Sequence, residues 1–389
     1  MENYRSLRKV SIPLAPLNVL VGPNGAGKTN VLEVFRFLAD VIRTDLEPAM
    51  ALRGGFEEVV FRGGEKTPTF MRIRLKAAWT AHSHPGAPDE YELRIEGRVG
   101  RSLSRKESFQ FKRTQGRGRR ITISGEKALV LDVGKDQTEV QERSIGLNRL
   151  SSGLSTLPRL SIEEGGEEPA AVAAKLASFR VFDVNVDSAR RPARFPRGNR
   201  EPLDDDAANL AGFLLTLRSQ SEQTWQRLVG DAAEVLPQLA GMDFDYPSGG
   251  AREVVILLHE KGLRRPTQLA DASYGTIRLL GLLALLYDPS PPAMTCVEEF
   301  DHGLHPQALE LLVERLREAS ARTQFLIATH SPAMADRLKP DELIVCERRS
   351  DGSSAIPALP TAKIEEIVAR SEDMPLGELW FSGALGGDL

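Results

Sequence analysis

The sequence predicts an α/β fold, with a mixed and mainly parallel sheet whose chain path is interrupted by a strand-rich and helical insertion. Three observations predict it. A short apolar run, Leu17–Val21, leads into a glycine loop and then into apolar residues at helical spacing. Strand-like and helix-like segments alternate again over residues 254–346. Between these stretches the pattern changes to polar and apolar residues in alternation, the period of half-buried strands.

Taken in order, Leu17–Val21 is rich in β-formers and bounded by Gly22, as a buried strand is. From Lys28 a helix follows, carried by Val31, Leu32, Val34, Phe35, Leu38, Ala39 and Ile42. Residues 69–78 and 90–99 read as strands, and 108–113 and 120–124 as half-buried strands, with a turn at Gly116-Arg117-Gly118. The polar stretch 163–168 reads as a loop, and helices are expected over 206–217 and 223–239. No sustained heptad pattern predicts a long coiled-coil arm, and no internal repeat is visible. Strands are then expected at 254–259, 293–297, 323–328 and 343–346. Helices are expected at 273–287 and 305–319, the latter with Leu309, Leu312, Val313 and Leu316 on one face. Ser331-Pro332 opens a further helix, serine as N-cap and proline at the first position.

Composition narrows the class. A chain of 389 residues suits roughly two to three domains. Hydrophobic residues make up 41% and charged residues 27%, which supports a core and argues against wholesale disorder. The longest strongly apolar run, 279–287, is far short of the roughly 20 residues a bilayer span needs. The N-terminus is broken by Pro13 and Pro16 and does not read as a secretory signal. Neither a membrane partner nor secretion is therefore expected. Cys296 and Cys346 rule out a disulfide scaffold or Cys-rich zinc site, and their apolar surroundings suit a reducing cytoplasm. A net charge of -4 excludes a uniformly basic nucleic-acid coat.

Two segments carry chemistry. Gly22-Pro23-Asn24-Gly25-Ala26-Gly27-Lys28-Thr29 matches G-x-x-x-x-G-K-[ST] between a strand and a helix. In such a loop glycines let the amides of Asn24, Gly25, Ala26 and Gly27 curl around phosphate, and the helix adds its positive end. Lys28 would reach the β- and γ-phosphates of ATP, and the Thr29 hydroxyl would ligate Mg2+. The strand at 293–297 ends in Glu298 and Glu299, adjacent carboxylates that are expensive at a buried strand end without a task. Beside a phosphate loop, Glu298 would hold the magnesium shell and Glu299 would orient or deprotonate the attacking water. A register shifted by one, with Glu299 on the metal and Asp301 on water, stays open.

Glu298-Glu299-Phe300-Asp301-His302-Gly303-Leu304-His305-Pro306 resembles the extended Walker B and D-loop of ABC-type ATPases, most closely the bacterial RecF/SMC-like ATPases. Thr329-His330-Ser331-Pro332 resembles that family's switch-histidine loop, and Ala272-Ser273-Tyr274-Gly275-Thr276-Ile277-Arg278 its signature motif. Leu203-Asp204-Asp205-Asp206-Ala207-Ala208-Asn209-Leu210 and the opening Asn3-Tyr4-Arg5-Ser6-Leu7 are also similar to the family. Three positions depart from its pattern: Glu298 stands where Asp is usual, Phe300 where Pro is usual, and Tyr274 where a small or acidic residue is usual. These bear on turnover more than on nucleotide binding.

The resemblance implies an ABC/SMC-type ATPase head related to that of the OLD nucleases, with His330 and Glu299 catalytic. It implies a homodimer in which Ser273 and Gly275 of one protomer contact the ATP held by the other. The phosphate loop and the acidic pair lie about 270 residues apart, more than a compact head needs. The expected organisation is thus a split head, 1–99 and 250–350, an inserted lobe at 100–249, and a tail at 351–389. The OLD nucleases carry a nuclease domain after the head. Too few residues follow Cys346 for one here, so any nuclease or toxin effector would be a separate protein.

Arg101, Arg105, Lys106, Lys112, Arg113, Arg117, Arg119 and Arg120 crowd one stretch opposed in sequence by Glu107 alone, and Arg190, Arg191, Arg194, Arg197 and Arg200 form a second cluster. On charge alone these are a solvated face, a surface for an acidic partner or a phosphate-binding surface. The resemblance favours double-stranded DNA. The competing functional readings are a RecF-type DNA repair factor, a transporter's nucleotide-binding subunit and a non-hydrolysing nucleotide-gated scaffold.

Overall fold

The computed structural model describes residues 1–97, 103–113, 118–133, 140–161, 166–194, 201–247, 252–371 and 374–386. The chain divides into two compact units. One comprises Met1–Pro13, Pro23–Phe179 and Cys346–Ala358; the other comprises Leu14–Gly22, Arg180–Val345 and Leu359–Leu389.

The first unit is built on an eight-stranded antiparallel sheet. Its order is Leu7–Lys9, Glu2–Tyr4, Phe70–Ala77, Asp89–Glu96, Ser104–Phe111, Gly118–Ser124, Lys127–Val133 and Val140–Gly146. Alternation decides which face is buried: Tyr91, Leu93 and Ile95 of one strand and Phe109 and Phe111 of the next are all buried, with Tyr91 directly opposite Phe109. Gly125 and Glu126 form the two-residue turn between the sixth and seventh of these strands, with Gly125 at φ 57°, where glycine is unstrained. The helix Lys28–Thr44 buries one face through Val31, Leu32, Phe35 and Leu38.

The second unit holds a five-stranded parallel sheet in the order Arg180–Phe182, Met294–Glu298, Gln324–Thr329, Leu17–Val21 and Leu343–Val345. Leu17–Val21 is buried along its whole length, as its unbroken apolar run demands. The helix Tyr274–Leu286 is buried from Thr276 onward, which explains an apolar composition without a polar face. Pro306–Ser320 is amphipathic and buries Leu309, Leu312, Val313 and Leu316. A small antiparallel sheet pairs Leu239–Asp245 with Glu253–Glu260. The strand Arg180–Phe182 and the segment 201–245 fall within the stretch expected to be inserted, yet they belong to this unit.

Several local expectations are corrected. The helix expected over 223–239 is Glu222–Val235; Pro237 ends it, and Leu239–Asp245 is a strand. The helix expected from 206 begins at Leu210, because Ala207 takes φ 60° and Asp206 Oδ1 accepts the Ala208 amide at 3.0 Å. Glu167 and Glu168 open a helix, Glu167–Ala177, instead of closing a loop, while 163–165 lie outside the described residues. The opening stretch, where the resemblance implies the family's opening strand, is a hairpin of Glu2–Tyr4 and Leu7–Lys9. Gly116 and Arg117, expected in a turn, lie outside the described residues, and Gly118 opens a strand.

Candidate nucleotide site

In the first unit the glycine loop is shaped by two left-handed residues, Gly25 at φ 81° and Gly27 at φ 101°. The Ala26 amide donates to the Pro23 carbonyl at 3.2 Å, and Lys28 Nζ donates to the same oxygen at 3.0 Å, folding the lysine over the loop. Gly27 offers no side-chain cap to the helix Lys28–Thr44, and no acidic residue stands in its first turn. The positive end of that helix is therefore presented to an anion. Asn24, Gly25 and Thr29 are exposed, whereas Ala26 and Gly27 are buried.

What buries Gly27 is a pair of hydroxyls from the two ends of the chain. Ser6 Oγ and Ser354 Oγ are 2.7 Å apart, Asn30 Nδ2 donates to Ser6 Oγ at 2.7 Å, and the Ser354 amide donates to the Ser6 carbonyl at 2.8 Å. A Cβ on Gly27 would lie 2.2 Å from Ser354 Oγ and 2.6 Å from Ser6 Oγ. Arg348 Nη1 donates to the Gly25 carbonyl at 3.2 Å. Nearby Cys346 is fully buried, and burial pushes its thiol well above its ordinary pKa, as befits a core residue.

In the second unit the acidic pair, the switch loop and the strand feeding the glycine loop share one sheet edge. Glu298 is in register with Ala328, and Thr329 with Val21, all at the carboxyl ends of parallel strands. Ligands of open parallel sheets bind beyond such ends. Glu298 is half-buried at the end of its strand. Glu299 then turns the chain at φ 47°, a left-handed conformation that costs a non-glycine residue about 1–3 kcal/mol. Three hydrogen bonds hold it there. Its amide donates to the Ala328 carbonyl at 2.9 Å, and its carbonyl accepts from Arg278 Nη2 at 2.6 Å and from the His302 amide at 2.9 Å.

Arg278 comes from the helix Tyr274–Leu286, is 3% exposed, and also pairs with Asp183 at 3.4 Å. Phe300 is fully buried, so the residue that replaces the usual proline anchors the turn in the core. The Glu299 carboxylate is 57% exposed and 3.4 Å from His302 Nδ1. Asp301 differs: its Oδ1 accepts from Thr329 Oγ1, which itself accepts the Ser331 amide at 3.0 Å. His330, between those residues, is exposed. Ser273 is exposed and caps the helix Tyr274–Leu286, its Oγ accepting the Thr276 amide at 3.1 Å. Gly275 lies so close to the acidic loop that a Cβ would sit 2.9 Å from the Gly303 carbonyl.

By donor chemistry the residues of each unit, taken by itself, suit a magnesium nucleotide. The glycine loop of the first unit offers amides, a lysine and the Thr29 hydroxyl, and the strand end of the second offers the Glu298 carboxylate, a hard oxygen donor of the kind Mg2+ takes beside phosphate oxygens and water. Among the described residues no cluster of three His, Cys, Asp or Glu side chains gathers, so a metal cage built from protein alone is not in evidence.

The basic clusters need correction. Arg105 is fully buried, 3.5 Å from Glu107, and its Nη2 donates to the carbonyls of Gly125 and Asn148. Arg119 is 14% exposed and bonded to Asp132 at 2.7 Å and Glu168 at 2.6 Å. Arg113 reaches the same two acids, and Lys106 is 3.4 Å from Glu96. Apart from Glu107, the acids that oppose this cluster, Glu96, Asp132 and Glu168, lie outside the stretch itself, so charge counting along it missed them. Arg101, Arg117, Arg197 and Arg200 lie outside the described residues. Sequence reasoning also assigned no role to Ser6, Ser354, Arg348, Asp183 or His302. No local pattern could have found Ser6 and Ser354, which meet across nearly the whole chain.

Comparison with known proteins bears on the fold and the family. Among solved structures, an SMC head bound to the C-terminal winged-helix domain of ScpA superposes with a TM-score of 0.57 at 14% identity, covering 93% of this chain and 97% of that one. The SMC head with an extended coiled coil from Pyrococcus furiosus, bound to the C-terminal domain of ScpA, matches at a TM-score of 0.49 and 13% identity, covering 96% and 98%. An OLD nuclease of Thermus scotoductus is 40% identical over 50 residues, 13% of this chain and 9% of that protein, so the chain spans only a small part of this relative. In the described residues no helix is long and apolar enough to cross a membrane. The family model described as "AAA domain, putative AbiEii toxin, Type IV TA system" matches residues 17–336, and the chain belongs to that family with the fold of an ABC/SMC-like ATPase head.

Proposed function

We propose that the protein binds and hydrolyses ATP with Mg2+, closes as a homodimer with two nucleotides sandwiched between protomers, and acts in the cytoplasm with a separate nuclease or toxin effector. The observation that carries the reading is the shared carboxyl edge of the parallel sheet. There Glu298, the Thr329-His330 turn and the strand entering the glycine loop stand in consecutive register. Lys28 and the loop amides hold the phosphates, and Thr29 and Glu298 hold Mg2+, which neutralises charge on the transferring phosphoryl group. Glu299 orients and deprotonates water, and His330 donates to the γ-phosphate. Ser273 and Gly275 meet the partner's nucleotide at a helix N-terminus. Asp301 is engaged by Thr329 while the Glu299 carboxylate is exposed, which supports Glu299 over Asp301 as the hydrolytic acid. The organisation 1–99 and 250–350 as a split head around 100–249, with a tail at 351–389, is part of this proposal.

The effector reading rests on the toxin-antitoxin description of the family and on the OLD nuclease likeness. Contact with duplex DNA is part of this proposal through basic residues other than the arginines at 105, 113 and 119, which are engaged by acids of their own unit. The test measures ATP turnover and ATP-dependent dimerisation, by light scattering, for wild type, Glu298→Gln, Glu299→Gln and Asp301→Asn. Glu299→Gln should lower turnover roughly 10²-fold or more and retain a long-lived ATP dimer. Glu298→Gln should weaken magnesium-dependent binding as well. A long-lived dimer from Asp301→Asn instead would move the assignment one register along.

A further inference from the structure

His330 sits in a turn held from both sides by residues of its own unit. On one side Thr329 closes its strand and is tied to the acidic loop, its Oγ1 donating to Asp301 Oδ1 and accepting the Ser331 amide at 3.0 Å. On the other side Ser331 caps the single helical turn Pro332–Ala335, its Oγ accepting the Met334 amide at 3.3 Å. One turn of helix has little stability of its own. This one packs against a second helix, Leu376–Phe381, from the segment that the sequence read only as a tail. The match to the family model stops at residue 336, so that helix lies beyond it. Leu376, Leu379 and Trp380 are buried, as are Met334 and Ala335. Gly377 makes the close approach. Its amide donates to Asp336 Oδ1 at 2.7 Å, and a Cβ on it would lie 2.2 Å from the Pro332 carbonyl oxygen. That oxygen already accepts the Asp336 amide at 2.9 Å, so it cannot swing aside without opening the turn.

We propose that Asp336, through the Gly377 amide, is a positioning residue for His330: it fixes the far end of the switch turn, and the helix Leu376–Phe381 is the brace to which that end is fixed. The inference rests on His330 acting on the γ-phosphate during hydrolysis. Only His330 and Ser331 lie between the two anchored residues, Thr329 and Pro332. With one anchored on Asp301 and the other braced through Asp336 on Gly377, the main chain of His330 has few arrangements left, and its exposed imidazole starts from a fixed Cα. Releasing the brace frees the turn from one end only, since Thr329 and the acidic loop keep their bond. The charge of Asp336 is not what the brace needs: any oxygen at the same place would accept the Gly377 amide. Phosphate binding, assigned to Lys28 and the glycine-loop amides, does not pass through this turn. Loss of the brace therefore acts on the chemical step and not on nucleotide affinity. Placement matters steeply there, because a shift of about 1 Å in a positioned group can cost about 10²-fold in rate.

The experiment is steady-state ATP hydrolysis by full-length wild type, His330→Ala, Asp336→Ala, Asp336→Asn, Gly377→Ala and the His330→Ala/Asp336→Ala pair. One lost hydrogen bond shifts an equilibrium roughly two- to tenfold. Asp336→Ala should therefore lower kcat roughly two- to tenfold with KM unchanged. Gly377→Ala, which pushes the brace off the Pro332 carbonyl, should lower it further. Asp336→Asn keeps an oxygen for the Gly377 amide and should behave as wild type. The pair should be no slower than His330→Ala, because Asp336 acts only through that histidine. Asp336 is exposed, so its substitutions leave the core intact and decide the matter even where Gly377→Ala melts below the assay temperature. An Asp336→Ala variant with wild-type kcat, an asparagine variant as slow as alanine, or a pair slower than His330→Ala by the full Asp336 factor would each overturn the brace and leave the role of His330 standing. His330→Ala with wild-type kcat would defeat the role of the histidine and the brace with it. Wild type without ATP turnover would defeat the hydrolysis reading and the brace together.

Discussion

Gly27→Ala tests whether the glycine loop is shaped by the two ends of the chain. Alanine at φ 101° carries a left-handed backbone penalty of about 1–2 kcal/mol. Its Cβ would meet Ser354 Oγ at 2.2 Å and Ser6 Oγ at 2.6 Å, so both hydroxyls must move. That disrupts the Ser6–Ser354 bond and the Asn30–Ser6 bond, each 2.7 Å and each worth about 1 kcal/mol. The total is about 3–4 kcal/mol. At about 2 °C per kcal/mol for a chain of this size, the melting temperature should fall by roughly 6–8 °C. The same displacement tilts the first turn of the helix Lys28–Thr44, so an ATP analogue should no longer raise the melting temperature. Adding Ser354→Gly and Ser6→Gly removes the collision but not the backbone strain, and should recover no more than part of the loss. Differential scanning fluorimetry with and without nucleotide reads both effects. A Gly27→Ala variant as stable as wild type, or one still stabilised by nucleotide, would refute the reasoning.

Further expectations follow from the same geometry. Lys28→Ala should abolish ATP binding in a calorimetric titration, because the β- and γ-phosphates lose their charge partner. Ser273→Arg should leave ATP binding by one protomer intact and prevent the ATP-dependent dimer seen by light scattering. Arg119→Ala should cost about 1 kcal/mol in denaturant unfolding, since Asp132 and Glu168 then keep Arg113 alone, and should leave affinity for duplex DNA unchanged. The Ser353 hydroxyl and amide, with Arg8, hold the Asp351 carboxyl down to about 2. Its contribution is therefore present above the ordinary value of 3.8 and is lost as pH falls from there toward 2. Melting temperatures measured over that window should fall less steeply for Asp351→Asn than for wild type.

What the sequence made legible were the segments whose chemistry is local. The glycine loop needs its own residues at its own spacing, and the structure places left-handed glycines at two of them, Gly25 and Gly27. The acidic strand and the serine-capped helices are local in the same sense. Boundaries failed where a local device competes with periodicity, as with Pro237 and the Asp206–Ala208 bond that delays the helix to Leu210. The strands Lys127–Val133 and Val140–Gly146 were not read because their identity lies in hairpin pairing, not in strong alternation. The basic cluster failed for a different reason: Asp132 and Glu168 neutralise Arg119 only after folding.

The same contrast bears on the three departures from the family pattern. Counted in sequence, Glu298, Phe300 and Tyr274 are three defects that point to weak turnover. In the structure they are not equivalent. Phe300 supplies the buried anchor of a strained turn, and the backbone of Glu299 is held by three hydrogen bonds, so losing proline rigidity there leaves the main chain of the proposed catalytic acid fixed. Tyr274 fills space left by Gly303 and reaches the loop that carries the acid, which gives the signature helix a grip that a small residue could not provide. Of the three, Glu298, one methylene longer than aspartate, is the one the proposal places on the metal. If hydrolysis is slow because of Glu298, turnover should rise with magnesium concentration. Magnesium titration of wild type beside Glu298→Asp tests this, because excess Mg2+ offsets a weak shell and the shorter acid should need less of it.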